Sequence, residues 1–155
     1  MAKDPIRPTD DEARALARRL ISEAQFGALA VLQDGRPAVT RVAVATDQDG
    51  TPLTLVSDLS SHTKALRSDP RCSLLLGEPG EKGDPLTHPR ITLQAEAVFV
   101  DKSETLVARY LKFQPKAKLY IGFTDFHFAR LTVAEAHLNG GFGKAYHLTP
   151  HDLGY

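Results

Sequence analysis

The sequence predicts a mainly β fold, with an antiparallel sheet curled into a barrel and short helices at its margins. Short apolar runs recur along the chain, and polar turn signals such as Asp34-Gly35 separate them. Only a few segments carry apolar residues at helical spacing. Strands linked by tight turns pair antiparallel, and a closed barrel leaves no unpaired sheet edge, so this mixture of elements favours a barrel.

The predicted elements run from a first helix into a series of short strands. The helix over residues 10–24 has apolar residues at helical spacing, and Thr9 and Glu12 have the spacing of a capping box. A short helix is predicted next, capped by Ser60 or Ser61 and ended by Pro70. Asp101 and Glu104 suggest the cap of another helix that runs to about Leu111, and a helical turn follows at 115–121. The predicted strands are 26–32, 38–46, 52–56, 71–76, 90–100, 126–138 and 144–148.

Length and composition indicate one globular domain over 1–155, with an N-terminal arm at 1–9 and a C-terminal tail at 149–155 that is expected to be mobile. The chain has 155 residues, 42% hydrophobic and 25% charged, so it can bury a core without a disulfide or a structural metal. It has 19 basic and 19 acidic residues, and this balance disfavours nonspecific nucleic-acid binding.

The sequence also predicts the compartment. No stretch resembles a signal peptide or approaches the roughly 18 apolar residues of a membrane-spanning helix, so no membrane partner is expected. The single cysteine, Cys72, excludes an intrachain disulfide and a cysteine-based zinc site within the chain. We expect a cytoplasmic protein in which Cys72 is a small buried hydrophobe.

Basic and hydroxyl side chains suggest a phosphate site. If their strands are neighbours, Arg41 and Lys64 can converge on one anion, with hydroxyl donors from Ser57, Ser61 and Thr63. The start of the short helix adds free backbone N–H groups. The alternative interpretation is an arginine paired with a carboxylate beside an ordinary serine-rich helix cap.

Glycines and histidines give weaker signals. The segment Gly140-Gly141-Phe142-Gly143 lets backbone approach a flat ligand, although a tight turn is the simpler interpretation. The histidines are His62, His88, His127, His137, His147 and His151. None has HExxH spacing, so no protein-only metal site is expected, and the simplest interpretation of each is a solvated or hydrogen-bonded side chain.

Four blocks of the sequence together resemble a known class of proteins. SDLSSHTKALRSDPRCSLLL, at 57–76, resembles the signature of the pyridoxamine 5'-phosphate oxidase-like FMN-binding split barrels. The haem-utilisation (HugZ-like) branch of that class is the closer match. It is resembled again by PRITLQAEA at 89–97, PKAKLYIGFTDFHFARL at 115–131 and NGGFGKAY at 139–146. The resemblance covers nearly all of the chain after the first helix.

The resemblance implies a six-stranded antiparallel split barrel that forms a homodimer, with flavin mononucleotide (FMN) bound at the subunit boundary. Arg41 and Lys64 would hold the phosphate, and Val42 would present backbone to the isoalloxazine ring. The other residues implied at the cofactor are Ser57, Ser61, His62, Thr63, Arg90, Gly141, Phe142 and Gly143. The implied activity is that of a flavin-dependent oxidoreductase acting on a small molecule, with no catalytic residue assigned.

The haem-utilisation branch implies haem as another possible cofactor. A C-terminal histidine can ligate haem there, and His147 and His151 are candidates by position, with Asp125 expected to orient the ligand. Two departures stand out: the C-terminal aromatic and arginine of true pyridoxamine-phosphate oxidases are not recognisable, and the sequence stops at Tyr155 without an extra C-terminal domain. The alternatives to the oxidoreductase are therefore a haem-binding or haem-degrading protein and a non-catalytic flavin-binding module.

Overall fold

A computed structural model describes residues 4–155 of the chain as one sheet with four short helices. The helices are α1 (Asp11–Glu23), α2 (Ser61–Ser68), α3 (Glu104–Phe113) and α4 (Pro150–Leu153). The strands are β1 (Phe26–Gln33), β2 (Arg36–Ala43), β3 (Ala45–Thr46), β4 (Pro52–Ser57), β5 (Arg71–Leu76), β6 (Arg90–Val100), β7 (Phe126–Asn139) and β8 (Ala145–Leu148). Two 3₁₀ turns lie at Pro85–Thr87 and Pro115–Leu119.

The sheet closes on itself through one bent strand. Its order is β2-β1-β5-β6-β7-β4-β3, and only Val44 separates β2 from β3 along the chain. Because β2 pairs with β1 while β3 pairs with β4, the predicted strand 38–46 joins both ends of the sheet. Counted as one strand, β2 and β3 complete a six-stranded antiparallel barrel, and β8 adds to β7. The predicted fold, mainly β and of split-barrel type, is confirmed.

Alternation along the strands fills the barrel interior. In β1, Leu29 and Val31 are buried while the residues beside them are partly exposed, as in a strand with one face on a core. Ala17 of α1 packs into the same core. A second, smaller cluster contains Phe128 of β7 and Tyr110 of α3.

The caps of two helices differ from the prediction. Asp10, not Thr9, caps α1, because its carboxylate accepts from the backbone N–H of Ala13 at 2.8 Å. The Thr9 hydroxyl instead donates to the backbone oxygen of His147, which ties the N-terminal arm to β8. Ser103 rather than Asp101 caps α3. Of the predicted arm 1–9, residues 1–3 lie outside the described range.

The C-terminal tail is folded, so the expectation of a mobile segment is wrong. Thr149 and Asp152 form a capping box at the start of α4, and Leu153 is buried. The Asp152 carboxylate pairs with Arg14 of α1 at 2.8 Å, and the contacts with Thr149 and Arg14 lower the pKa of Asp152 to about 2. The Tyr155 hydroxyl donates to the backbone oxygen of Gly50 at 2.9 Å.

Candidate functional site on the outer face of the barrel

The side of the sheet that points away from the main core is exposed and apolar over β1, β2 and β5. On this outer face Ala30 pairs with Val39, and Ala28 pairs with Leu75. Val39 is 68% exposed and Leu75 is 42% exposed. Two grooves of about 410 Å³ each open on this side. Exposed apolar side chains beside two grooves make this face a candidate binding surface.

One row of residues crosses the outer face from β2 to β8. In this outer row each residue is the direct cross-strand partner of the next: Arg41, Ala28, Leu75, Thr92, His137 and His147. Direct partners point to the same side of a sheet, and strands lie about 4.8 Å apart, so the row is about 24 Å long. It carries a guanidinium at one end, small and apolar side chains in the middle and two imidazoles at the other end.

The imidazoles of His137 and His147 are in contact. Their ring centroids are 4.5 Å apart with an interplanar angle of 84°. Nε2 of His137 lies 3.2 Å from Oε1 of Glu135, so this ring can donate to a carboxylate. His151, the other predicted haem ligand, is exposed on α4 and is not a member of the outer row.

The cation end of the outer row borders an apolar groove. Arg41 stacks over the ring of Phe26 at 5.5 Å, and both residues line one of the outer-face grooves with Leu75 and Gly77. Val42 is buried and its strand partner is Gly27, so its side chain belongs to the core. Backbone presentation by Val42 to an isoalloxazine ring stays a prediction.

The glycine loop and Arg90 lie beside the β6–β7 end of the outer face. Arg90 is the strand partner of Asn139, and its Nη1 donates to the backbone oxygen of Leu86 at 3.0 Å. Gly141 has a φ of 129°, and a Cβ there would lie 3.3 Å from the backbone oxygen of Thr87. Gly141 and Gly143 therefore meet the needs of a tight turn, while the Phe142 side chain is 93% exposed. Their role at a cofactor stays a prediction.

The remaining predicted cofactor residues lie on or next to α2. Ser61 and Lys64 line a groove of about 630 Å³, together with the β1–β2 turn and Arg71. Burial lowers the pKa of His62, which favours a neutral imidazole. Thr63 is fully buried, and its hydroxyl has no hydrogen-bond partner within residues 4–155.

Ser57 already has a partner. Its hydroxyl donates to the Asp125 carboxylate at 3.2 Å, so an anion would have to displace a carboxylate to reach it. Asp125 immediately precedes β7, whereas His147 pairs with His137 near the far end of that 14-residue strand. Within one subunit, therefore, Asp125 does not orient His147, contrary to the expectation from sequence.

Arg41 and Lys64 do not converge within one subunit. The groove of Lys64 includes Asp34 and Gly35 of the β1–β2 turn, whereas Arg41 lies five residues along β2 from Arg36. At 3.3 Å per residue, that separation along the strand is about 17 Å. The predicted set thus divides into a group at α2 and a group on the outer face, and its joint role in binding a phosphate stays a prediction.

Sequence reasoning missed two histidine arrangements. Periodicity does not predict the side on which His137 lies, because a β-bulge at Ala134 shifts the alternation within β7. His127 has no sequence signal either: its Nε2 lies 2.8 Å from the Asp58 carboxylate, which also pairs with Arg67. Cys72 is buried as predicted, and burial raises its pKa to about 11, so its thiol stays protonated.

Comparison with known proteins assigns the family. Residues 8–153 match the family model described as CREG, beta-barrel. The chain belongs to the CREG beta-barrel family. It is 40% identical over 100 residues to the "Non-canonical heme oxygenase HOZ, chloroplastic" of Arabidopsis thaliana, a match that covers 63% of this chain and only 30% of that protein.

Two of the solved structures that resemble this chain are named for haem. The heme binding protein from Mycobacterium smegmatis has a TM-score of 0.83 and 30% identity, over 96% of this chain and 61% of that one. HutZ, the heme storage protein from Vibrio cholerae, has a TM-score of 0.62 and 22% identity, over 76% of this chain and 87% of that one. At that identity, HutZ shows the fold alone.

The comparisons support the fold and the family but leave more specific expectations untested. The CREG assignment agrees with a split barrel that has haem-binding neighbours, while the pyridoxamine 5'-phosphate oxidase-like assignment and FMN binding stay predictions. Among residues 4–155, no helix is long and apolar enough to cross a membrane. The name of the plant relative places that protein in the chloroplast, and a cytoplasmic location for this chain stays a prediction.

Proposed function

We propose that this chain binds haem on its outer face, with one imidazole of the His137–His147 pair as the iron ligand. The observation that carries the proposal is the outer row, which places two imidazoles on the same surface as small and apolar side chains. The relatives named for haem binding and haem oxygenase activity support the same cofactor. The proposal favours the haem hypothesis over the flavin-dependent oxidoreductase.

The imidazole end of the outer row and the apolar side chains beside it suit haem. A neutral imidazole nitrogen is a common axial ligand, and a carboxylate such as Glu135 orients the ring and raises its basicity. Ala28 and Leu75 offer a flat apolar macrocycle a surface free of charge. Arg41 lies four strand spacings from His137, about 19 Å along the sheet, and is therefore too far away to pair with a propionate of a haem ligated by this histidine pair. Bound haem would supply the iron chemistry, and the residues at the imidazole end would set its ligand and orientation.

Removing both imidazoles is expected to weaken haem binding at least tenfold. In a titration with ferric haem followed by absorbance, wild type is expected to show a shifted Soret band. The His137→Ala/His147→Ala double variant loses the iron–nitrogen bond but keeps the apolar surface. A tenfold loss of affinity corresponds to about 1.4 kcal/mol of binding free energy.

His151→Ala is the matched control, because His151 is exposed on α4 and outside the outer row. It is expected to titrate like wild type. Equal Soret positions and affinities in wild type and the double variant would contradict the ligand assignment. An unshifted Soret band in wild type would contradict haem binding itself.

FMN is the second candidate cofactor, because Ser61 and Lys64 share a groove with Arg71. Hydroxyl and cationic donors suit a phosphate, although Arg71 is already paired with Asp69 at 2.6 Å. The same titration with FMN in place of haem separates the cofactors. Binding of FMN without haem would favour a flavoprotein, either a flavin-dependent oxidoreductase or a non-catalytic flavin-binding module.

We also propose that the chain forms a homodimer over its outer face. The α2 group and Arg41 lie toward opposite ends of the barrel. A two-fold axis running across the strands would bring the α2 end of one subunit beside the Arg41 end of the other. In that arrangement Lys64 and Arg41 from different subunits would approach one ligand, and Val39, which is exposed on the outer face but is not in the outer row, would lie in the interface core.

The dimer is expected to dissociate when a charge is placed among the exposed apolar side chains of this face. Light scattering on wild type should give about twice the chain mass of 16.9 kDa. Val39→Lys should give a monomer, because an unpaired ammonium is costly to bury and Val39 is exposed on this face outside the outer row. Leu119→Lys is the control, since Leu119 is 81% exposed outside the outer face. A wild-type monomer at micromolar concentration would contradict the proposal.

A further inference from the structure

The geometry of the His137–His147 pair also suits the binding of something other than haem. The two residues are direct partners in β7 and β8, and their ring centroids are 4.5 Å apart. The backbone ladder holds the two Cα positions at a set separation. Only side-chain torsions have to change for both rings to turn a nitrogen toward one point.

The distances suit a chelated metal ion. Zinc–imidazole bonds are about 2.0–2.1 Å long, so two nitrogens on a tetrahedral ion lie about 3.3 Å apart. Two rings already in edge-to-face contact can meet that separation. Neutral imidazole is a good ligand for Zn²⁺, Cu²⁺ and Ni²⁺. The Glu135 carboxylate, 3.2 Å from Nε2 of His137, is the kind of partner that metal-binding histidines usually have.

The pair offers two candidate protein ligands, His137 and His147. Within residues 4–155, no three histidine, cysteine or acidic side chains already stand in an arrangement that holds a metal ion. We propose that His137 and His147 together chelate one divalent transition-metal ion in the haem-free protein, with water completing its coordination. This inference goes beyond haem binding and does not rest on it, although the two ligands would compete for the same imidazoles.

Calorimetric titration of Zn²⁺ into tag-free, haem-free protein tests the chelate. Wild type is expected to bind one ion per subunit. His137→Ala and His147→Ala are each expected to weaken binding at least tenfold, because either change leaves a single imidazole. His151→Ala and His88→Ala are matched controls outside the pair and are expected to leave the affinity unchanged.

Cu²⁺ as a spectroscopic probe identifies the ligands. Electron paramagnetic resonance of wild type with one equivalent of Cu²⁺ is expected to show nitrogen couplings that the double variant lacks. Unchanged Zn²⁺ affinity in both single variants, or only a twofold loss in each, would overturn the chelate. Haem titration of the same variants is a separate measurement. A protein that does not bind haem can still bind Zn²⁺, and a protein that does not bind Zn²⁺ can still bind haem.

Discussion

Phe128→Ala is expected to lower the free energy of unfolding by about 3–5 kcal/mol, the usual range for deleting a buried phenylalanine ring. Phe128 is 0% exposed, and its ring centroid lies 5.2 Å from that of Tyr110. It belongs to the smaller core cluster, which also holds Leu53 of β4 and Ile121. Loss of the ring would leave a cavity in this cluster, and the few strand and helix residues around it cannot move enough to fill the space.

Urea unfolding followed by circular dichroism measures the effect. Phe142→Ala provides the control, because that ring is 93% exposed and its removal should change stability by less than about 0.5 kcal/mol. A loss below about 1 kcal/mol for Phe128→Ala would show that the site collapses around the cavity, contrary to the expectation.

Gly77→Ala is expected to destabilise the chain by roughly 2–6 kcal/mol, combining backbone strain with overpacking. Gly77 has a φ of 104°, a region that residues with a side chain rarely adopt. A Cβ there would lie 2.6 Å from the backbone oxygen of Pro89 and 2.8 Å from Cα of Arg90. Both neighbours are backbone atoms, so relief of the clash would move the start of β6.

Gly35→Ala separates strain from crowding. Gly35 has a φ of 76°, but nothing lies within 4 Å of the position that a Cβ would take. Its substitution should therefore cost only about 1–2 kcal/mol. Equal losses of stability in the two variants, measured by thermal unfolding, would contradict a steric contribution at Gly77. A larger loss for Gly77→Ala would support the close approach of β5 and β6 ends beside the Arg41 groove.

The strands could be predicted from the sequence because each buries one face. Arg71–Leu76 and Arg90–Val100 have the bounds that alternation and turn residues predict. Helix caps were harder to predict, since neighbouring residues offered equivalent oxygens. At α1, Thr9 and Asp10 are both good capping residues, and a contact of Thr9 with distant His147 left Asp10 as the cap.

The order of the C-terminal tail is hard to predict for a related reason. A short polar segment near a chain end reads as mobile when only its own residues are considered. Its order depends on partners far along the chain, namely Arg14 for Asp152 and Gly50 for Tyr155.

The sequence by itself determined the mainly β class, the strands and the residue types suited to an anion or a flat cofactor. The tertiary structure alone decided which of those residues share a surface. Packing of α2 beside the β1–β2 turn placed Lys64 and Arg41 toward opposite ends of the barrel, and pairing of β8 with β7 set His147 against His137. Periodicity is a local property set by backbone geometry, whereas proximity across a sheet depends on strand order and register, which arise from packing of the whole chain.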